Sequence, residues 1–443
     1  MMMNQSKFEA SLESMTADLH LWDVTTTQVG IKETKIINYA PLTAIDNTDT
    51  ITFHIPGQPK LFLDSIEIVT DVKIENVPAD RQLSVVNNLA NSLWKNVSVV
   101  IGGVTITQSF DYSYAISTFF DTAINNAPDR ADILLYQQGF LMDKANNKQG
   151  SEDLTIYKIE ATADPVVEER LVGNHSASKR IERFMTPAGQ GNTRIATFIA
   201  PLACSLFQQH KLLPDSLDIH IGLSKKDKHF CLYGPNNTPA ELNLANVYLK
   251  CHYRVPVDDA IAAIEMRLKR EPSRYEADEK IVTFRHFPPG IRKYKINNLF
   301  SGKLPKYFIA AINNRPAYGG QAHRNPWSFI PLKTAQCWVN GETYFPKEVA
   351  GKEELFNAFH EALGYKLRGS SLITPDNFNI HNLLAFPLTA DRTVRHHMNL
   401  MNSGVIDLEI ELNGESGNDY CVIVYAIYDR LIEIDNFRQL RVL

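Results

Sequence analysis

The feature that most constrains this chain is a set of short segments that occurs twice, in the same order, on either side of one predicted helix. Pro59-Lys60-Leu61-Phe62-Leu63 matches Pro305-Lys306-Tyr307-Phe308-Ile309. Gly103-Val104-Thr105-Ile106 matches Gly341-Glu342-Thr343-Tyr344, and a short helical pattern follows each, with Phe119 answering Phe359. The run from Leu217 to Leu223 (LDIHIGL) then answers Ile406 to Leu412 (IDLEIEL). Last, a strand ending in Tyr253, with Cys251 in it, answers one ending in Tyr428, with Cys421 at its start. One five-residue match arises by chance; five in the same order argue for two copies of one unit. The offset, about 175 to 246 residues, is too long for a solenoid or propeller repeat.

Each unit reads as antiparallel sheet. Ile51-Thr52-Phe53-His54-Ile55, Ile66 to Val69, Leu217 to Ile221 and Ile406 to Leu412 alternate apolar and polar residues, burying one face and wetting the other. Gly102-Gly103 and Asn340-Gly341 are hairpin signals, because these residues accept the positive φ of tight turns. Helical patterns are few: Phe8 to Leu19, Tyr114 to Ile124, Leu355 to Leu363, and Asp258 to Arg270 between the two copies. The last has Asp258 and Asp259 near its start and Arg267, Lys269 and Arg270 at its end, matching the helix dipole.

The fold class expected is all-β: two consecutive jelly-roll β-sandwiches with a few short helices, since many short strands, long connections and an inserted helix suit a jelly roll. The expected division is an N-terminal arm at 1–29, a first jelly roll at 30–255, a connector helix at 256–277 and a second jelly roll at 278–443. At 443 residues neither sandwich needs a disulfide or metal staple.

Composition narrows function mainly by exclusion. The 45 Lys and Arg against 50 Asp and Glu leave a formal charge of −5, unlike a strongly basic nucleic-acid binder. The first 22 residues hold only Lys7 against Glu9, Glu13 and Asp18, so no tight direct DNA binding is expected. Met1 to Ser14 lacks the apolar core of a signal peptide, and the longest uncharged run, between Arg194 and Lys211, is interrupted by Pro201 and short of a membrane span. The chain is therefore expected to be soluble. Five cysteines form no CxxC pair and read as reduced, buried thiols.

No catalytic, cofactor-binding or metal residue is named. His360-Glu361 begins like a zinc-protease helix, but Gly364 stands where the second histidine is required. Asp143 to Leu154 is acidic, yet Ala145 replaces an oxygen ligand of a calcium loop. Gly189-Gln190-Gly191 lacks a strand–turn–helix setting, and His396-His397 reads as a solvated face between arginines. Two basic clusters, Lys179/Arg180/Arg183 and Arg267/Lys269/Arg270/Arg274, read as solvated surface before nucleic-acid contact. Trp22, Trp94, Trp327 and Trp338 read as core or interface packing.

Several segments resemble a known family. Leu299 to Ile309 (LFSGKLPKYFI) is similar to the F-x-G-x-L-P-K stretch opening the second half of hexon-type capsid proteins. Asn325-Pro326-Trp327-Ser328-Phe329 resembles their N-P-F-x-F run, and Ile432 to Arg438 resembles their ending. Asp23 to Leu42 followed by Ile51 to Leu63 resembles their beginning. By these motifs the chain resembles the double jelly-roll major capsid proteins of the adintovirus, Polinton (Maverick) and adomavirus-like group, from about residue 20 to the end. Similar sequences sit in animal genomes as integrated elements. The resemblance implies a hexon-like major capsid protein of an icosahedral double-stranded DNA virus. It further implies a homotrimer forming a pseudo-hexameric capsomer, which touches neighbouring capsomers, penton and minor capsid proteins. It places the chain in the virion, assembled inside the host cell in the nucleus, with outer loops facing a host receptor. The residues alone leave open a lectin-like β-sandwich binder, a minor capsid or penton protein, and a glycan-active enzyme. The first does not account for the connector helix or the motifs, the second needs only one jelly roll, and the third needs a carboxylate pair that the sequence does not offer.

From Phe119 to Leu217 is 98 positions, while Phe359 to Ile406 is 47, so the first copy carries about 51 extra residues. They fall in a polar stretch near 126–194 that reads as too rich in charge and Asn to be buried, and long loops on rigid scaffolds commonly carry function. In hexon-like capsomers such connections form outer towers. Limited proteolysis of intact particles is expected to cut within 126–194; complete protection there would favour a clamp on the neighbouring subunit instead.

Overall fold

The computed structural model describes residues 24–46, 48–76, 83–107, 113–126, 134–143, 175–184, 194–233, 240–315, 325–344, 349–363, 371–389, 398–400, 402–416 and 419–443. The first half contains β1 (Ile31–Tyr39), β2 (Thr50–Ile55), β3 (Phe62–Glu75), β4 (Ser84–Val85), β5 (Trp94–Ile101), β6 (Val104–Thr105), β7 (Ala196–Pro201), β8 (Ile219–Lys225), β9 (Leu232–Tyr233) and β10 (Glu241–Pro256). The second contains β11 (Ser273–Phe287), β12 (Lys293–Lys303), β13 (Tyr307–Asn314), β14 (Leu332–Val339), β15 (Glu342–Thr343), β16 (Val349–Ala350), β17 (Leu384–Pro387), β18 (Ser403–Leu412), β19 (Tyr420–Ile434) and β20 (Leu440–Val442). Four helices matter here: α1 (Ser113–Asn125), α2 (His175–Glu182), α3 (Asp258–Leu268) and α4 (Lys352–Ala362).

Strand order repeats element by element. The first half pairs β1-β10-β3-β7 in one sheet and β2-β8-β5-β6 in the other; the second pairs β11-β19-β13-β17 and β12-β18-β14-β15. All the pairings are antiparallel, which makes each half a jelly roll on the same eight-strand plan; in the second half β20 adds to β19 and β16 to β14, so both of its sheets have five strands. The alternation seen in the sequence does the sorting. In β2, Ile51, Phe53 and Ile55 are buried while Thr52 and His54 are not; in β18, Ile406, Leu408, Ile410 and Leu412 point inward. Both hairpins use left-handed residues, Gly102-Gly103 between β5 and β6 and Asn340-Gly341 between β14 and β15, each pair at positive φ.

The sheets also correct one sequence match. Ile101, just before Gly102, pairs with Ile219, and Val339, just before Asn340, pairs with Ile406. The counterpart of Ile406 is therefore Ile219, two positions beyond the Leu217 matched from sequence. A slip of two leaves every side chain on the same face, so the pattern alone does not detect it.

The helix α3 carries Asp258 and Asp259 in its first turn and Arg267 in its last, between the end of β10 and the start of β11. Because β11 begins at Ser273, residues 273–277 of the expected connector are strand, and the boundary drawn at 277/278 falls inside β11. The expected Phe8–Leu19 helix, Trp22, Gly189-Gln190-Gly191 and His396-His397 lie outside the described residues.

The extra length of the first half lies between α1 and β7, against the short interval from α4 to β17 in the second. Its described parts, 134–143 and 175–184, do not behave as a solvated loop. Phe140, Asp143, Ala177, Arg180, Ile181 and Phe184 are buried. The expectation that this stretch stays out of the core is corrected for those residues, because its polar groups find partners inside. All five cysteines are free and buried. Burial pushes the thiols of Cys231, Cys251, Cys337 and Cys421 up to about 12, so they remain protonated near neutral pH.

Candidate functional site: the seam between the two sandwiches

The sequence Asn325-Pro326-Trp327 builds the centre of the seam. The Asn325 side-chain oxygen accepts the Trp327 N–H two residues on, at 3.1 Å, a local turn that Asn favours. Asn313 on β13 donates to the Pro326 carbonyl at 2.5 Å, tying the turn to the second sandwich. The Trp327 indole, fully buried, projects into the first sandwich. It stacks on Phe119 of α1 with centroids 4.3 Å apart and planes 1° from parallel, and Phe230 meets it edge-on at 6.0 Å. Its indole N–H donates to the Asn87 carbonyl at 3.0 Å, which satisfies the one polar atom of the ring.

Beside the indole lies a buried ion pair. Arg180 of α2 donates to Asp143 at 2.8 Å, with the two side chains 2% and 0% exposed, so water screens neither. Arg180 also donates to the carbonyls of Val85 and Leu141, and Asn325 donates to the second Asp143 oxygen at 2.9 Å. The insertion of the first sandwich is thereby tied to the turn of the second. A buried charge with several partners tolerates burial; removing one member leaves the other stranded, at a cost of about 3–5 kcal/mol.

The helix α1 supplies the rest of the contact. Phe120 packs against Phe329 and Tyr425, and the Tyr425 hydroxyl donates to Asp121 at 2.6 Å. Lys280 of β11 pairs with Asp121 as well. Burial works to lower the Lys280 pKa, but Asp121 and Asp278 outweigh it and hold it above the ordinary lysine value. Lys306 sits between Asp278 at 2.5 Å and Asp429 at 3.0 Å. For Asp429, burial works to raise the pKa, yet hydrogen bonds from Asn399 and the Lys306 ammonium hold it below the usual carboxylate range. Asp121, Asp278, Lys280, Lys306 and Asp429 line a cleft of about 780 Å³ beside α1. Their opposite charges pair with one another across the walls of the cleft. Farther along, Arg438 donates to Asp215 of the first half and to Glu265 of α3, both at 2.5 Å.

The structure places the other residues weighed from sequence as follows. Arg180 of the first basic cluster is buried, and Arg183 lies over the rings of Phe198 and Tyr136 at 4.0 and 4.5 Å, so neither forms an open cationic patch. His360 packs edge-on against Phe356 and Phe359 on α4. Trp94 is core, and Trp338 lies under the Lys295 ammonium at 4.4 Å. Sequence reasoning missed Asp143, Arg180 and His381 as seam residues, and it did not bring His54, Asp218 and His220 together. Those three are the one group of potential metal ligands found among the described residues.

No family model matches the chain. Uncharacterized protein F54H12.2 of Caenorhabditis elegans is 20% identical over 382 residues, 80% of each chain. A chain of the Sputnik virophage superposes with a TM-score of 0.69 at 10% identity, covering 100% of this chain and 94% of that one. The mavirus major capsid protein gives 0.59 at 12% identity, over 99% and 97% of the two chains. The Faustovirus major capsid protein gives 0.61 at 9% identity, over 94% and 92%. The fold is a double jelly roll. At such identities the likeness resides in the backbone, and the packing of this double jelly roll rests on its own side chains.

His381 makes the seam of this double jelly roll sensitive to acid. Its Nδ1–H donates to the Trp327 carbonyl at 2.9 Å and its ring is wholly buried. Burial lowers its pKa below the histidine norm despite the nearby Asp143. Below about pH 6.5 the unfolded chain therefore takes up a proton that the folded chain refuses, and stability falls as pH falls. His381→Asn keeps a donor near the Nδ1 position and does not titrate. Urea unfolding at pH 7.5 and 5.5 is expected to show a smaller acid loss in this variant than in the parent; equal losses would refute the assignment.

Proposed function

We propose that this chain is a hexon-like major capsid protein of an icosahedral double-stranded DNA virus, or of an integrated element derived from one. The observation that carries the reading is that two sandwiches of identical strand order are locked into one body by the Trp327 seam. The full-length likeness to the mavirus and Faustovirus major capsid proteins supports it. A trimer of such chains offers six similar blocks to six neighbours while needing only threefold symmetry, the closed cyclic arrangement common in homo-oligomers. Two sandwiches in one chain also set the reading apart from a penton, for which one suffices. The chain then works through contact surfaces, with neighbouring capsomers, penton and minor capsid proteins as partners, and we assign it no catalytic role.

The division into jelly rolls at about 30–255 and 273–443, joined by α3, is part of this proposal. So is membership of the adintovirus and Polinton group, supported by the motifs at Leu299–Ile309, Asn325–Phe329 and Ile432–Arg438. A related chain in a nematode agrees with an element carried in animal genomes. Location in the virion follows from the capsid reading; assembly in the nucleus rests on the resemblance alone. The insertion near 126–194, rooted by Phe140 and Arg180, is the proposed outer and receptor-facing surface. Exposed apolar side chains such as Ile36, Leu42, Leu400 and Phe437 are candidates for subunit contacts.

Three chains of 50.0 kDa give a particle of about 150 kDa. Obligate interfaces commonly exceed about 2,000 Å² in total, so the trimer is expected to persist at micromolar concentration in light scattering. A stable species at the monomer mass would contradict the proposal.

A further inference from the structure

The outer face of β2 and β8 carries a side-chain trio that the capsid reading does not use. His54 on β2 lies directly opposite His220 on β8, in a ladder whose register runs unbroken from Thr50 to Ile55. The two imidazoles stack with centroids 4.5 Å apart and planes 7° from parallel. Asp218 stands two residues before His220, on the same face by the period of a strand. Both rings direct Nε2 at its carboxylate, His54 at 2.6 Å from Oδ1 and His220 at 3.1 Å from Oδ2.

We propose that His54, Asp218 and His220 form a binding site for a divalent transition-metal ion of the zinc class, with solvent completing its coordination. Two imidazole nitrogens and one carboxylate oxygen are the donor set such ions take, and hard ions such as magnesium and calcium prefer all-oxygen sets. The spacing is close to what an ion requires. Donors about 2.1 Å from a tetrahedral metal lie about 3.4 Å from one another. Here the three donor atoms lie within 4.8 Å of one another. The two carboxylate contacts, at 2.6 and 3.1 Å, open slightly and the two imidazole nitrogens turn toward one another, through torsions of exposed side chains, to place all three around one centre.

The scaffold under the trio is fixed. The Asp218 carbonyl accepts the Gly102 N–H at 3.1 Å, and Ser216, two residues earlier, turns the chain at φ 59°. Two ligands on paired strands and a third at a strand entry hold their geometry better than ligands on a free loop. Side-chain exposures of 36%, 54% and 53% leave the trio open to an ion from solvent. The second sandwich supplies an internal contrast. With Ile219 answering Ile406, His220 answers Asp407. Asp407 accepts the Asn298 N–H at 2.9 Å and has the Lys295 ammonium 3.6 Å away, a setting that repels a cation. The donor set belongs to the first sandwich.

Titration calorimetry of the full chain with zinc chloride, after chelator treatment, tests the site. About one ion per chain is expected, with a dissociation constant in the micromolar range or below. His54→Ala and His220→Ala should each weaken binding about tenfold or more, since even outer-shell changes commonly cost that much. Asp218→Asn, which keeps the shape and removes the charge, should do the same. His252→Ala, on the other sheet beside Glu67, should leave the affinity unchanged. Cobalt in place of zinc should give a visible ligand-field spectrum that the His54→Ala/His220→Ala chain lacks. No saturable zinc binding by the parent chain, or an affinity that survives in all three ligand variants, would overturn the proposal.

Discussion

The structure depends on one interior contact, the indole of Trp327 lying flat on Phe119 with the Asp143–Arg180 pair beside it. Each sandwich satisfies its own backbone through its sheets. What neither supplies alone is cover for the surfaces that meet at the seam. The indole buries a large apolar area and finds one acceptor, Asn87. An aromatic stack of this kind adds about 0.5–1.5 kcal/mol beyond area burial. The ion pair acts differently. Its net contribution to stability is small, but it cannot be opened without stranding a charge, so it fixes how the halves meet more than how tightly.

The seam explains an asymmetry between the sheets. In β13 all eight residues are buried, and in β19 the run from Cys421 to Tyr428 is buried throughout. Strands covered on both faces read as continuous apolar runs. Their counterparts in the first sandwich, β3 and β10, keep much of the alternation of a sheet with one wet face. The outer face of β19 is where α1 docks through Phe120 and Asp121. One helix of the first sandwich thus serves as the lid of the second, while α4, its counterpart, packs within its own half, with Phe359 meeting Phe378.

The strands were legible in the sequence because alternation is a local property: Ile51 to Ile55 and Ile406 to Leu412 are readable without neighbours, and so are the hairpins at Gly102 and Asn340. The seam was not. Asp143 read as a failed calcium ligand and Arg180 as part of a surface cluster, since Asn325, the partner that links them to the second sandwich, lies 182 residues from Asp143. The motifs behind the family resemblance read as turn and packing signatures. In the structure Asn325-Pro326-Trp327 is the plug of the seam, Lys306 lines the adjoining cleft, and Arg438 bridges the first half and α3. For the metal-ligand trio, only Asp218 and His220 are near in sequence. His54 joins them through strand pairing, 164 residues from Asp218.

The central claim is that two jelly rolls behave as one block because of the contact at Trp327. Scanning calorimetry of the intact chain and of Trp327→Ala tests it most directly. Emptying a buried tryptophan site costs about 3–5 kcal/mol. The account predicts a single cooperative transition for the parent chain, and for the variant a lower transition that separates into two as the halves lose their coupling. Two independent transitions in the parent, or a variant that melts like the parent, would contradict it.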